Sequence, residues 1–201
     1  MASGILKYAS VVSLATLASR LVGYVRDMLI AMFLGAGIIN DILILALRLP
    51  NLFRSLFGEG AFSAAFVPMF AAKLENKENA IKFASHIQTW LALALLVFCG
   101  LLYVLMPVLV EITAPGIAKD SASCELAVGL SRITTPYLFF IAMAAFYGGI
   151  LNSNKRYFAF AAAPVLLNIA MIAAALLAPP TQVVYWLANS VTIGGIVELA
   201  W

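Results

Sequence analysis

The sequence predicts an all-α membrane protein, a six-transmembrane-helix bundle. Three observations predict it. Hydrophobic residues make up 64% of the 201 residues, charged residues only 10%, and the mean hydropathy is +1.04; a soluble domain carries about 25% charge and about 45–50% apolar residues. The stretches 89–110, 133–151 and 157–178 are free of charge, and each is close to the ~20 residues that a bilayer-crossing helix needs. Clusters of turn-forming residues punctuate the chain between these and three further apolar runs. Composition also excludes a disordered tail, a collagen-like rod and a disulfide-stapled secreted module. A nucleic-acid binder is excluded too, because the net charge of +3 is spread over membrane-flanking positions rather than gathered in a patch.

The elements follow in order. Span one, about 8–34, contains Arg20, Arg26 and Asp27. It runs past any small-residue cleavage site into Arg20, so it reads as an uncleaved insertion signal. Gly35-Ala36-Gly37 with Asn40-Asp41 separates it from span two, and Asn40 or Asp41 is placed to cap the next helix. Span two, about 41–72, contains Arg48, Arg54 and Glu59. Pro50 removes a backbone donor there and is expected to kink the helix, shifting the register of everything after it. A polar connection over 73–82 leads to span three, 84–110, and Pro115-Gly116 breaks the chain beyond it. Span four, 130–151, is joined by Asn152-Ser153-Asn154-Lys155-Arg156 to span five, 157–178. Pro179-Pro180 leads to span six, 182–201. Span six has no closing polar flank beyond Glu198, so the sequence reads as the first lobe of a longer transporter, truncated in that span. The competing reading is a complete six-helix protein with a short tail.

Basic residues in the short connections set the orientation. Lys7, Lys73, Lys77, Lys82, Lys155 and Arg156 fall on the N-terminal side and Lys119 alone on the other, six against one, with Arg132 ambiguous. The N-terminus is therefore expected in the cytoplasm.

The charges inside spans one and two carry the functional reading. An ionised side chain near the bilayer centre costs at least about 2.5–3.5 kcal/mol, so it persists mainly where it faces a water-filled cavity or a partner. Arg20 and Arg54 fall near the middle of their spans; Arg26, Asp27, Arg48 and Glu59 are shallower. On a straight helix Asp41, Arg48, Ser55 and Glu59 share one face, and Arg20 shares one with Asp27, while Arg26 and Arg54 fall off those stripes. The Pro50 kink, with Gly58 and Gly60, keeps helical angles from excluding Arg54. Guanidinium stays charged and grips phosphate through paired donors. A hydrated chamber with several Arg and few acids favours an anionic headgroup, best a diphosphate. The alternative reading is a set of ion pairs, Arg20–Asp27 or Arg48–Asp41, that lock two helices together.

Other residues weigh less. Cys99 and Cys124 lack a CxxC neighbour or a nearby His and read as unpaired thiols. His86 reads as an interfacial structural residue, with no second His or acidic cluster at metal spacing. Ser10, Ser13 and Thr16 read as packing, as do Tyr137, Phe139, Phe140, Phe146 and Tyr147. Pro107, Pro136 and Pro164 are further kink candidates. There is no G-x-x-x-x-G-K-[ST] motif and no nucleophile–base arrangement, so no enzyme is predicted.

Several runs carry a family resemblance: Ser19-Arg20-Leu21-Val22-Gly23-Tyr24-Val25-Arg26-Asp27, then Phe33-Leu34-Gly35-Ala36-Gly37 with Asn40-Asp41. The most specific are Arg48-Leu49-Pro50-Asn51-Leu52-Phe53-Arg54 and Glu59-Gly60-Ala61-Phe62-Ser63-Ala64-Ala65-Phe66-Val67-Pro68. Thr113-Ala114-Pro115-Gly116, Thr135-Pro136-Tyr137 and Gly149-Ile150-Leu151-Asn152 add support. Together they resemble the N-terminal half of the MurJ/MviN lipid II flippase family, within the multidrug/oligosaccharidyl-lipid/polysaccharide exporter superfamily. The resemblance implies the N-lobe of a two-lobe, V-shaped, alternating-access exporter in the bacterial cytoplasmic (inner) membrane. It implies lipid II, an undecaprenyl-diphosphate glycopeptide, as the cargo moved to the periplasmic leaflet. Family cavity residues match at Arg20, Arg26, Asp41, Arg54 and Glu59; Arg48 stands where some members have Lys. The implied partners are lipid II, membrane lipids, the C-terminal lobe and proteins of cell-wall synthesis and division. No cofactor is implied in this chain, and coupling to membrane potential or a monovalent cation gradient would run through the second lobe. The rival readings are an exporter of another polyprenyl-linked glycan and a non-transporting scaffold for cell-wall enzymes.

Overall fold

The computed structural model describes residues 2–58, 61–154 and 158–201, with side chains other than those of residues 2–12, 14–15, 58, 61, 63 and 158–161. Glu59, Lys155, Arg156 and the side chain of Lys7 therefore lie outside the described residues, as does the side chain of Ser10.

Helix α1, Ala2–Leu34, has 33 residues, about 50 Å at 1.5 Å per residue. It stops at Gly35, whose φ of +66° is left-handed, with the Gly35 N–H on the Ala31 carbonyl at 3.0 Å; glycine adopts that conformation without a Cβ clash. Helix α2, Ile38–Ala46, begins from extended Gly37, whose carbonyl accepts the N–H groups of Asn40 and Asp41 at 3.0 and 3.1 Å. The helix starts early enough that Asn40 and Asp41 lie inside its first turn, so neither caps it as the turn chemistry led us to expect.

The segment 41–72 is three helices rather than one kinked rod: α2, then α3, Arg48–Gly58, and α4, Ala61–Ala71. Pro50 supplies the physical reason for the first break. It has no N–H for the Ala46 carbonyl four residues back. That carbonyl accepts instead from the Thr134 hydroxyl at 2.8 Å, in a fully buried position.

Helix α5, Lys77–Thr113, is capped by Asn76, whose side chain accepts from the N–H groups of Glu78 and Asn79. A single turn, α6, Pro115–Ala118, leads to α7, Ser121–Thr134, capped by Asp120. Helix α8, Tyr137–Ser153, continues α7 across a break at Thr135-Pro136. The fourth rod thus begins at Ser121, well before residue 130. The first half carries Ser121, Ser123, Glu125, Ser131 and Arg132, which mask it in a hydropathy reading, yet Ala127 and Leu130 are fully buried. Helices α9, Phe158–Leu177, and α10, Val183–Ala200, complete the bundle, with α9 packed on both α1 and α10. Among the described residues, Lys77–Thr113, Ser121–Ser153 and Val183–Ala200 are long and apolar enough to cross a membrane.

The main core gathers Ile42, Leu43, Leu130, Tyr137, Leu187 and Val191, each almost inaccessible, from α2, α7, α8 and α10. The approach of α10 to its neighbours depends on missing side chains. A Cβ at Gly194 would stand 2.6 Å from Leu167 Cδ1, and one at Gly195 would stand 2.7 Å from the Tyr137 ring. Small residues at helix contacts replace the hydrophobic drive that lipid does not supply. A second core at the α4–α5–α8 end is aromatic: Phe62, Phe66, Phe70, Phe83 and Phe146, with Phe66 and Phe146 centroids 5.1 Å apart. On α5 the seven-residue series Trp90, Val97 and Val104 is about 70% exposed, whereas Leu95, Leu102, Met106 and Val110 are buried. One face of that helix is built for lipid and the other for protein.

Candidate functional site

Helices α1, α3 and α9 enclose an open cleft of about 310 Å³ lined by Ser19, Arg20, Gly23, Tyr24, Arg26, Asp27, Arg54, Pro164, Leu167 and Asn168. Arg20 and Asp27 lie seven residues apart on α1 and share a face as the spacing predicts. Arg54 arrives from α3, beyond the break that Pro50 induces. The cleft therefore brings together Arg20, Arg26 and Arg54, two of which the straight-helix map leaves off its stripes. Asp41 and Arg48, which that map puts on one face with Ser55, do not line it. Asp41 is exposed in the first turn of α2, where a negative charge suits the helix dipole, and Arg48 is exposed at the start of α3. Glu59 lies outside the described residues.

Arg26 is the best-held cation. Its Nε and Nη2 donate to Asp27 Oδ1 at 3.0 and 2.8 Å, and its Nη1 donates to Asn168 Oδ1 at 2.8 Å. Asp27 thus pairs with its chain neighbour Arg26 rather than with Arg20. Asn168, buried on α9, also donates from Nδ2 to the Ser19 carbonyl at 3.2 Å, tying α9 to α1 at the cleft floor. Among the described residues, Arg20, Arg48 and Arg54 form no ion pair within 4 Å. Among the described residues one acid faces three guanidinium groups, so their sum in the cleft is positive. Neither of the ion pairs that spacing suggested, Arg20–Asp27 or Arg48–Asp41, forms within 4 Å among the described residues.

Sequence reading passed over Asn168 and took Glu198 only as the polar flank of span six. Each left a signal: Asn168 is the one amide in the otherwise apolar run 157–178, and Glu198 the one ionisable side chain in span six apart from Tyr185. Glu198 is 4% exposed on α10, and the Tyr137 hydroxyl donates to its Oε2 at 3.3 Å. The charge of Arg54 acts on both groups. A larger groove, about 510 Å³, runs between α9 and α10, lined by Ala170, Ala173, Leu177, Trp186 and Ile193 among others. It offers no ionisable group, so chemistry and not size marks the smaller cleft as the site.

Fold and cleft together define a multi-span helical membrane protein with a cationic cleft that opens beside its first helix. Comparison with known proteins gives the family. A family profile described as "Lipid II flippase MurJ" matches residues 30–201. A relative from Rhizobium tropici, "Probable lipid II flippase MurJ", is 40% identical over 92% of this chain and 36% of its own length. "Lipid II flippase MurJ" of Burkholderia cenocepacia is 41% identical over 91% of this chain and 36% of its own. A solved structure, "Lipid II flippase MurJ, inward closed conformation", superposes with a TM-score of 0.83 at 31% identity, covering 94% of this chain and 40% of that one. The chain belongs to the MurJ family of lipid II flippases. It corresponds to the N-terminal part of these relatives and spans less than half of their length.

Proposed function

We propose that this chain is the N-terminal lobe of a lipid II flippase and that its cleft holds the diphosphate of the cargo. The observation that carries the reading is the convergence of Arg20, Arg26 and Arg54, from two separate helices, on one open cleft that contains a single carboxylate among the described residues. Guanidinium forks match phosphate oxygens two at a time and remain charged in a partly desolvated site. Arg26 is already oriented by Asp27 and Asn168, which leaves Arg20 and Arg54 to close on the guest. The polyprenyl tail stays in lipid beside the outward-turned face of α1, where Leu17, Leu21 and Met28 are exposed. Release on the far side requires a state with weaker affinity for the anion, since a ligand shifts an equilibrium only by its differential affinity for the two states. That second state needs the lobe that relatives carry beyond this segment. Membrane potential or a monovalent cation gradient acting through that lobe resets the cycle.

The orientation that fits is an N-terminus on the cytoplasmic side of the bacterial inner membrane. Supporting it, Lys73, Lys77 and Lys82 cluster at one end of the 37-residue α5 and Lys119 lies past the other.

The test is Arg20→Ala and Arg54→Ala in a full-length family member carrying this segment, with lipid II exposed on the outer face as the readout. Each variant is expected to lower exposure at least tenfold at normal protein level, the loss of one strong charge-assisted contact, about 1.5–3 kcal/mol. Unchanged exposure in both would remove the diphosphate clamp.

A further inference from the structure

Nothing in that reading uses Glu198, although its surroundings are unusual for an acid. The carboxylate is 4% exposed, Oε2 takes the Tyr137 hydroxyl, and Oε1 has no hydrogen-bond partner among the described residues. A buried carboxylate with a bare oxygen is costly when ionised, and a proton on that oxygen lowers the cost by removing the charge. Solvent has a place to deliver one. Glu198 borders a space of about 50 Å³ with Ala144, Tyr147, Gly148, Leu151 and Ala163, room for about one water molecule.

Among the described residues the charges around Glu198 are few, and Trp201 at the end of α10 lines the same small space. Helix α8 presents Tyr137, and Tyr147 lines the same small space. Helix α9 has no titratable side chain among its described residues. On α7, Arg132 is turned onto the Tyr103 ring, with its carbon 4.8 Å from the centroid. Asp41 sits exposed in the first turn of α2, and the charges of α1 line the cleft. From α3 comes Arg54, whose charge acts on Glu198 and whose side chain also lines the cleft. Arg54 therefore faces the guest in the cleft, and its charge reaches the acid as well.

Resting on the reading that the cleft takes a diphosphate, we propose that Glu198 is a proton-binding site that sets the charge Arg54 offers to that guest. With the carboxylate ionised, Arg54 and Glu198 together carry no net charge. With Glu198 protonated they carry one positive charge. The acid takes a proton from water when the anion arrives and returns it when the anion leaves. By linkage, the proton strengthens anion binding by the factor that the anion strengthens proton binding.

The experiment uses a full-length family member carrying this segment and a short-chain polyprenyl diphospho-sugar. That probe is a diphosphodiester, so its own charge is constant between about pH 5 and about pH 8. Affinity is measured across that range, and proton uptake by calorimetry in two buffers of different ionisation heat. The wild type is expected to bind about fivefold or more tightly at the acid end and to take up protons on binding. Glu198→Gln is expected to hold the tight affinity at every pH and to take up none. Tyr137→Phe removes the donor that favours the carboxylate and is expected to move the same rise to higher pH; it also serves if the Gln variant does not fold. A Gln variant with the wild-type pH profile and proton uptake would overturn the inference, as would an unmoved profile in Tyr137→Phe. If Arg54→Ala binds the probe as the wild type does, the diphosphate reading itself falls and takes the inference with it.

Discussion

The lobe handles polar groups at membrane depth in two ways, and the contrast between its dry core and its open cleft shows why. In the core, around the α7–α8 break, helix kinks free backbone carbonyls, and neighbouring side chains satisfy them or the carbonyls beside them. The Ala46 carbonyl freed by Pro50 takes Thr134. On the exposed face of α5, the Tyr103 carbonyl freed by Pro107 takes Arg132 Nε at 3.0 Å. Beside Pro136, the Ile133 carbonyl takes the Thr192 hydroxyl at 2.6 Å and the Thr135 carbonyl takes the Cys99 thiol at 3.8 Å. Bent helices survive in lipid on those terms. In the cleft, between α1, α3 and α9, the polar groups are permanent cations with too few internal partners. The space beside them is open, so an anion can reach them. Core polarity is spent on shape and cleft polarity on a guest.

That division can be broken or sharpened by substitution. The largest stability effect is expected in the core. Thr134→Val keeps the volume but leaves the Ala46 carbonyl bare, a cost of about 1–3 kcal/mol, read as a lower melting temperature in detergent, while Thr134→Ser keeps the hydroxyl and most of the stability. A Val variant as stable as the wild type would mean the Pro50 kink needs no partner. In the cleft the sign of the effect moves from stability to binding. Asp27 is 65% exposed in its pair with Arg26, so Asp27→Asn should shift stability by less than about 0.5 kcal/mol. It should strengthen diphosphate binding by removing the one opposing charge; weaker binding would show that Asp27 instead holds Arg26 in place. The smallest effect belongs to the rim. Hydrogen bonds from the Ser123 hydroxyl and N–H hold the Asp120 carboxyl below the usual carboxylate range. A depressed carboxylate contributes stability that is present above its unfolded value and is lost as pH falls through the folded one. A melting-temperature series from about pH 5 down to about pH 2 should therefore lose a small step that is absent in Asp120→Ala.

Much of the fold was legible because hydropathy is a local property: the runs 89–110 and 157–178 announce helices without any contact being known. The candidate cations were legible for a related reason. A guanidinium in an apolar run is out of place wherever the helix turns, so Arg20, Arg26 and Arg54 stood out before any partner could be assigned. Partner choice was not legible. Straight-helix spacing joined Asp41 to Arg48 and Arg20 to Asp27, whereas the break at Leu47 re-aims α3, and Asp27 turns to its neighbour Arg26. Neutral Asn168 was passed over because a single amide in an apolar run reads equally well as packing, and Glu198, near the end of its run, read only as a polar flank.

By itself the sequence determined that this chain lives in a membrane as a helical bundle and that it keeps cations where lipid would expel them, because transfer free energy is summed residue by residue. Only the tertiary structure decided which of those cations share one cleft. That depends on where a proline bends a helix and which distant hydroxyl or amide meets it there, and those contacts exist only once the helices have packed.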